Sequence, residues 1–310
     1  MAEAIEVHHL VKRYDAVTAV AGIDFQVRAG TVFSFLGPNG AGKTTTTEIL
    51  EGLRRCTEGS VSVLGLDPWA DATALHTRIG VIPQDFRFFE KITPAEAVRY
   101  YGALFHTDPD PVELLTRVQL ADKAGARFDT LSGGQKQKLG LALALTNNPE
   151  ICFLDEPTTG LDPTARRAIW AVIRTLKAEG RTVFLTTHYL EEAELLADQV
   201  AIIHHGRIIA AGTPNEIIAA HGRPERLRFQ AAPSLAEYLR PKVGLKVTAA
   251  DGRVDVELHE QSDVLRVLSA VEASGLPWQN FSTTQDTLED VFVRLVGQMD
   301  DGALKSEGSS

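Results

Sequence analysis

Three short stretches of the chain combine residue types and spacings suited to phosphate chemistry. Gly37-Pro38-Asn39-Gly40-Ala41-Gly42-Lys43-Thr44 fits the phosphate-loop (Walker A) pattern G-x-x-x-x-G-K-[ST]. Glycines let such a loop wrap so that successive backbone N–H groups point inward at phosphate, and the following helix presents the positive end of its dipole. Lys43 would then reach the β- and γ-phosphates, and the Thr44 hydroxyl would serve Mg2+. A Gly-rich turn before Lys-Thr is the bland alternative, but here the loop lies between an expected strand and an expected helix. Asp155-Glu156 close the apolar run 151–154, at the C-terminal strand end where α/β ligand sites are built. Asp155 is the expected metal-side residue. Glu156 would orient or deprotonate an attacking water, because phosphoryl transfer to water needs mainly positioning and charge neutralisation. Alone, an acidic pair in this place is as readily a helix cap or loop feature. Leu131-Ser132-Gly133-Gly134-Gln135 precedes a helical pattern with Leu139, Ala142 and Leu143, so it is a second anion-binding helix start or simply an N-cap.

These residues need a scaffold, and the flanking pattern supplies one. Residues 32–36, 151–154, 182–185 and 200–203 are near-continuous apolar runs, expected of strands buried on both faces. Residues 163–179 place Ile169, Val172, Ile173 and Leu176 on one helical face, with Pro163 in the first turn and Gly180 just past the end. Residues 190–196 read as a helix. The alternation of strands and helices over 1–221 is that of an α/β domain on a mostly parallel sheet. Residues 86–148 show no strong strand, and Pro94, Pro109 and Pro111 punctuate a helical subdomain.

From 222 the texture changes, and a small α+β domain is expected over 222–299. Strands at 227–230, 245–248, 254–258 and 278–282 and helices at 234–239 and 263–274 give the order β-α-β-β-α-β of a ferredoxin-like motif. Ser262 is the expected cap of the second helix, and Thr287 that of a last helix at 288–296. A polar, mobile tail over 300–310 completes this reading.

Composition narrows the class further. At 310 residues the chain has room for about two domains, and its 44% hydrophobic and 23% charged content is that of ordinary globular proteins. A formal charge of −10 without a basic tract argues against general nucleic-acid binding. No apolar run approaches the roughly 18–20 residues that span a bilayer. The acidic start Met1-Ala2-Glu3-Ala4-Ile5-Glu6 is unlike a secretory signal, so a cytoplasmic location is the default expectation. Cys56 and Cys152 form neither a disulfide framework nor a metal motif, and Cys152 reads as a buried hydrophobe.

In this order and spacing, the segments over residues 5–220 resemble the nucleotide-binding subunits of ATP-binding cassette (ABC) proteins, whose signature is LSGGQ. The resemblance assigns Tyr14 to stacking on adenine, Gln84 in Val81-Ile82-Pro83-Gln84 to the glutamine loop, and Thr159-Gly160-Leu161-Asp162 to the D-loop. His188, after Thr186-Thr187, matches the switch histidine. The implied ATP cradle is Gly37, Pro38, Asn39, Gly40, Ala41, Gly42, Lys43, Thr44 and Thr45, with Thr44, Gln84 and Asp155 about Mg2+. Glu156, His188, Lys43 and Gln84 are the implied catalytic residues. In this family the LSGGQ of one subunit completes the site of another. Two copies would therefore pair head to tail, each closing Ser132, Gly133, Gly134 and Gln135 over its partner's ATP.

The same ATPase drives several tasks, and spacing removes some of them. The 112-residue step from Lys43 to Asp155 lacks sustained heptads, leaving no place for the long coiled coil of the DNA-repair and chromosome-structure relatives. Ribosome-acting relatives carry two cassettes, and this chain has one phosphate loop and one LSGGQ. A transport motor with a separate integral membrane permease is then implied, peripheral on the inner face of the cell membrane. Phe86, Phe88, Phe89, Tyr100 and Tyr101 would line the groove for the permease's cytoplasmic helix, or be ordinary aromatic core. The whole chain resembles the drug-resistance and ABC-2-type exporter cassettes, including Thr45-Thr46-Thr47-Glu48-Ile49-Leu50-Glu51-Gly52-Leu53 and Thr287-Leu288-Glu289-Asp290-Val291-Phe292. Export of a drug-like or lipid-like molecule is the reading this implies. The alternative is a soluble ABC ATPase of an assembly or repair complex. The C-terminal domain carries no catalytic constellation and reads as dimer-supporting or regulatory.

Overall fold

A computed structural model describes the backbone of residues 2–84 and 86–307 and side chains as far as residue 299. The chain divides into two units, Met1–Pro214 and Asn215–Ser310, a division seven residues ahead of the change in sequence texture. The first unit opens with the long antiparallel strands β1 (Glu3–Tyr14) and β2 (Val17–Arg28). Then come β3 (Val32–Leu36), α1 (Lys43–Leu50), β4 (Glu58–Val63), α2 (Ala72–His76) and β5 (Ile79–Ile82). The helical subdomain holds α3 (Pro94–Leu104), α4 (Pro111–Arg117) and α5 (Gly133–Ala144). The unit continues with β6 (Ile151–Asp155), α6 (Pro163–Ala178), β7 (Thr182–Thr187), α7 (Leu190–Leu196), β8 (Gln199–His204) and β9 (Arg207–Gly212), and α8 (Pro214–His221) crosses the division.

The central sheet has the order β5-β6-β7-β3-β8-β9. Its first five strands are parallel, and β9 adds antiparallel to β8. Every residue of β3, β6 and β7 is buried, which explains their unbroken apolar runs. Phe184 on β7 lies between Phe33, Phe35 and Phe153, with ring centroids 5.6–5.8 Å away. A second sheet, β2-β1-β4, covers this core on the side of Ile5, Leu10, Ile23 and Val27. Its strands were not anticipated, because the alternation of β1 is interrupted where the pairing register shifts between Val7 and Leu10 and again towards Arg13.

Register brings strand ends together. Leu36 pairs with Thr187, and Asp155 with Thr186, so the residues that follow β3, β6 and β7 emerge side by side at one edge. Ile82 pairs with Leu154, which delivers Gln84 to the same edge. Cys152 is buried in β6, and burial pushes its thiol up to about 12, so it is an inert core residue.

The second unit continues with β10 (Arg226–Ala231), α9 (Pro233–Val243), β11 (Val247–Ala250), β12 (Arg253–Glu257), α10 (Ser262–Ser274), β13 (Trp278–Thr284) and α11 (Leu288–Glu307). Its antiparallel sheet has the order β11-β12-β10-β13, with the second and third strands side by side and the first inside, as in a ferredoxin-like motif. Leu227, Phe229, Val254 and Val256 pack against Leu235, Leu239, Val267 and Val271 of the two helices. Two sequence expectations need correction. Ser262 is the first residue of α10 rather than its cap; the buried Asp263 carboxylate instead accepts the N–H groups of His259 and Glu260 at 2.7 and 3.1 Å. The last helix, capped by Thr287 as expected, runs to Glu307, through most of the stretch read as a polar tail; residues 308–310 lie outside the described residues.

Glu51, just after α1, is a buried carboxyl that the sequence reading passed over. Burial, with the Asp155 and Glu48 charges adding, raises it from its ordinary 4.5 to about 8. Between those values the folded chain binds more protons here than the unfolded chain, so stability falls as pH rises. Glu51→Gln removes this dependence: thermal melts from pH 5 to pH 8 are expected to show a smaller loss of Tm in the variant than in the wild type. Parallel losses would mean that Glu51 ionises normally.

Candidate nucleotide site

The loop between β3 and α1 is built so that its glycines are needed where it bends and where it is crowded. Gly40 and Gly42 have φ of 79° and 108°, outside the range comfortable for other residues. A Cβ on Gly42 would lie 2.5 Å from Ala19 O, and one on Gly37 2.4 Å from Ile203 O. The loop therefore wraps tightly against β2 and β8 and hands over to α1 with Gly42 as N-cap. The Thr46 and Thr47 hydroxyls turn back to Gly42 O and Lys43 O at 2.9 and 3.1 Å, while Thr44 is exposed and Thr45 half-buried.

Lys43 is 6% exposed, and its Nζ donates to Gly37 O at 2.8 Å and Pro38 O at 3.3 Å. Burial lowers its pKa, opposed by the Glu156 and Asp155 carboxylates. Glu156 Oε1 is 3.7 Å from that Nζ. The other oxygen of Glu156 is a meeting point. Gln84 Nε2 donates to Oε2 at 3.2 Å, Thr159 Oγ1 donates at 3.1 Å, and His188 Nδ1 lies at 3.0 Å. Glu156 itself has φ of 47°, a left-handed conformation that few non-glycine residues adopt and that turns its side chain out of the strand direction.

Thr186 holds the two carboxylates in relation to each other. Its hydroxyl donates to Asp155 Oδ1 and accepts the Glu156 N–H at 3.1 Å, while Thr186 O accepts the same N–H at 3.0 Å. Burial pushes the Asp155 carboxyl up, the Thr186 hydroxyl counters it, and the Glu156 charge adds to the rise. In the sequence Thr186 stands out only as part of the pair that precedes the switch histidine. A hydroxyl closing an otherwise apolar strand was the available signal.

Other expected site residues stand apart from this cluster. Ser132 and Gln135 form a capping box on α5: Gln135 N–H donates to Ser132 Oγ at 3.3 Å, and Ser132 N–H donates to Gln135 Oε1 at 2.9 Å. Gly133 and Gly134 face Leu161 and Ala165 of their own chain. Asp162 caps α6, accepting the N–H groups of Thr164 and Ala165 at 2.9 Å. Tyr14 ends β1 with its ring 36% exposed, between Lys12 Nζ at 4.9 Å and the Arg54 guanidinium at 5.6 Å.

Comparison with known proteins identifies the family. The family model described as ABC transporter matches residues 20–159. The daunorubicin/doxorubicin resistance ATP-binding protein DrrA of Streptomyces peucetius is 36% identical over 321 residues, covering 99% of this chain and 96% of that protein. The Nod factor export ATP-binding protein I of Rhizobium meliloti (strain 1021) is 42% identical over 306 residues, covering 95% and 88%. Among solved structures, a dimeric bacterial ABC transporter cassette is similar with a TM-score of 0.60 at 26% identity, covering 67% of this chain and 98% of its own. Similarity along almost the whole chain, on a phosphate loop and carboxylate pair held at the ends of the two strands that flank β7, places the chain in the ATP-binding cassette transporter family.

Proposed function

We propose that this chain is the ATP-hydrolysing motor subunit of an ABC exporter, working as a head-to-tail dimer with a separate membrane permease. The observation that carries the reading is the convergence of Gln84, Thr159 and His188 on one oxygen of Glu156, with Lys43 near the other. Phosphoryl transfer to water needs charge neutralisation around the γ-phosphate and an aligned water, and these groups supply both. Lys43 exchanges Gly37 O and Pro38 O for the β- and γ-phosphates, and the N–H groups of 39–45 cradle them. Tyr14 stacks on the adenine. Glu156 orients the water and takes its proton, Gln84 and His188 keep water and γ-phosphate in line with it, and Asp162 sets the D-loop beside them.

The oxygen donors suit Mg2+. Among the described residues, no group of three or more His, Cys, Asp or Glu forms a metal site. The Thr44 hydroxyl and the Asp155 carboxylate, with Gln84 nearby, would make a partial shell of hard oxygens, which fits an ion that takes its remaining ligands from phosphates and water. When bound, Mg2+ neutralises charge on the phosphate oxygens.

Within one chain, Ser132 and Gly133 are exposed and the Ser132 and Gln135 side chains are taken up by their own capping box, which supports closure of each site by the LSGGQ of a second copy. The relatives named for daunorubicin resistance and Nod factor export support a drug-like or lipid-like cargo and an export direction. Among the described residues, no helix is long and apolar enough to cross a membrane, so the membrane path belongs to the partner. Its cytoplasmic helix docks on the aromatic cluster of Phe86, Phe88, Phe89, Tyr100 and Tyr101, where Phe89 and Tyr100 are 63% and 45% exposed. A neighbouring cavity of about 280 Å³, lined by Ile79, Val81, Tyr101, Phe105 and Leu143, extends that surface. The second unit supports dimer or permease assembly.

Glu156→Gln keeps the hydrogen-bonding shape and removes the base. Phosphate release is expected to fall about 10²–10⁴-fold while ATP-dependent dimers persist in size-exclusion chromatography; unchanged release would sink the role of Glu156. Affinity purification of the tagged chain from solubilised membranes, with mass spectrometry, should recover a stoichiometric polytopic protein. Recovery of soluble partners alone would instead favour the non-transport ATPase. In the same assay a chain ending at Gly222 should bind ATP but recover less permease or dimer. Full recovery would remove the assembly role of the second unit.

A further inference from the structure

The segment that carries His188 is gripped by α6. His188 precedes α7, and its ring lies 4.2 Å from that of Tyr189. The Tyr189 ring is in turn covered by the Arg166 guanidinium, 4.4 Å from the ring centroid. Arg166 Nε is buried without a hydrogen bond, and the guanidinium charge also bears on the Glu192 carboxyl of α7. One turn further along α6, Trp170 Nε1 donates to Glu192 Oε1 at 2.8 Å, and both residues are buried. Positions 166 and 170 share a helix face, so α6 meets the switch segment at two successive points.

Glu192 is a costly residue to place there. It is fully buried, and Oε2 has no hydrogen-bond partner. Burial raises its pKa against the influence of the Thr187 hydroxyl, Trp170 N–H, Thr158 hydroxyl and Arg166 charge. An apolar residue would pack at this position with less penalty. The groups around the carboxyl belong to the site itself: Thr187 adjoins His188, Thr158 lies two residues after Glu156, and Arg166 four after the Asp162 cap. Gly134, behind Ser132, lies so close to α6 that a Cβ on it would come 2.8 Å from Ala165 Cβ.

We propose that Trp170, Glu192 and Arg166 are positioning residues for the ATPase reaction, fixing where His188 stands relative to Glu156 and tying that position to α6. The inference rests on the roles proposed above for His188 and Glu156. It also gives α6 a double duty, because the helix that steadies His188 in its own site abuts the LSGGQ start that serves the other copy.

The test uses the full chain with Trp170→Phe, which keeps an aromatic ring and loses the donor, alone and in a His188→Ala background. In the wild-type background kcat is expected to fall roughly ten-fold with KM for ATP within about two-fold, the pattern of a lost transition-state interaction. In the His188→Ala background the same change should cost less than about two-fold, since it acts through a side chain already absent. With 13C-labelled histidine, Trp170→Phe should displace the His188 ring signal, identified by its absence in His188→Ala, and leave the other histidines in place. Equal losses in both backgrounds, or an unmoved His188 signal, would overturn the clamp. Wild-type turnover in His188→Ala alone would overturn the role of His188 and the clamp with it. Should Trp170→Phe fail to fold, Arg166→Met is read by the same criteria, since it opens the ring stack and leaves the Trp170–Glu192 bond intact.

Discussion

A single carboxylate, that of Glu156, organises the candidate site. Its side chain is only 6% accessible, and an ionised carboxylate so placed must be neutralised or hydrogen-bonded to persist. Lys43 supplies the charge from the phosphate loop, Gln84 comes from the end of β5, Thr159 from the loop after β6, and His188 from the turn after β7. Four segments distant in sequence thus depend on one residue for their mutual placement. The left-handed backbone at Glu156 and the double acceptance of its N–H by Thr186 are what hold that residue in its unusual orientation.

The sheet makes this convergence possible. A parallel sheet delivers every strand's C-terminal end to one edge, and the register here brings Leu36, Asp155, Thr186 and Thr187 level with one another. A one-residue slip of β7 would exchange the faces that Thr186 and Thr187 occupy and separate Asp155 from its hydroxyl partner. The buried aromatic stack around Phe184 opposes such a slip, which would draw the Phe184 ring away from Phe33, Phe35 and Phe153. Core packing and site geometry are in this sense the same constraint seen at two ends of the strands.

The parts legible in the sequence are those written locally. The phosphate loop, the acidic pair and the LSGGQ start each lie in a few consecutive residues beside a strong strand or helix pattern, and α7 falls on its expected residues. What escaped notice depends on partners far along the chain. The β2-β1-β4 sheet breaks its alternation at register shifts, Thr186 matters only because Asp155 and Glu156 lie across the ladder, and Glu51 is special only because burial and Asp155 surround it. Ser262 shows the converse failure: a good capping residue at the right place was displaced because Asp263, next to it, satisfies the preceding N–H groups instead.

The unequal treatment of the two anion-binding helix starts carries the last step. The start at Gly42 is crowded by its own chain on both sides and has its lysine and carboxylates at hand. The start at Ser132 has its capping box and the neighbouring Leu161 and Ala165, and it leaves Ser132 and Gly133 exposed. A chain so built holds one nearly complete half of a site and the closing piece of another, and symmetry lets two identical copies satisfy both. On the proposed reading hydrolysis requires association, and α6 is the helix that touches both the closing piece at Ala165 and the switch segment at Tyr189 and Glu192. Each site in the proposed dimer is thereby positioned by a helix that also reports on the other.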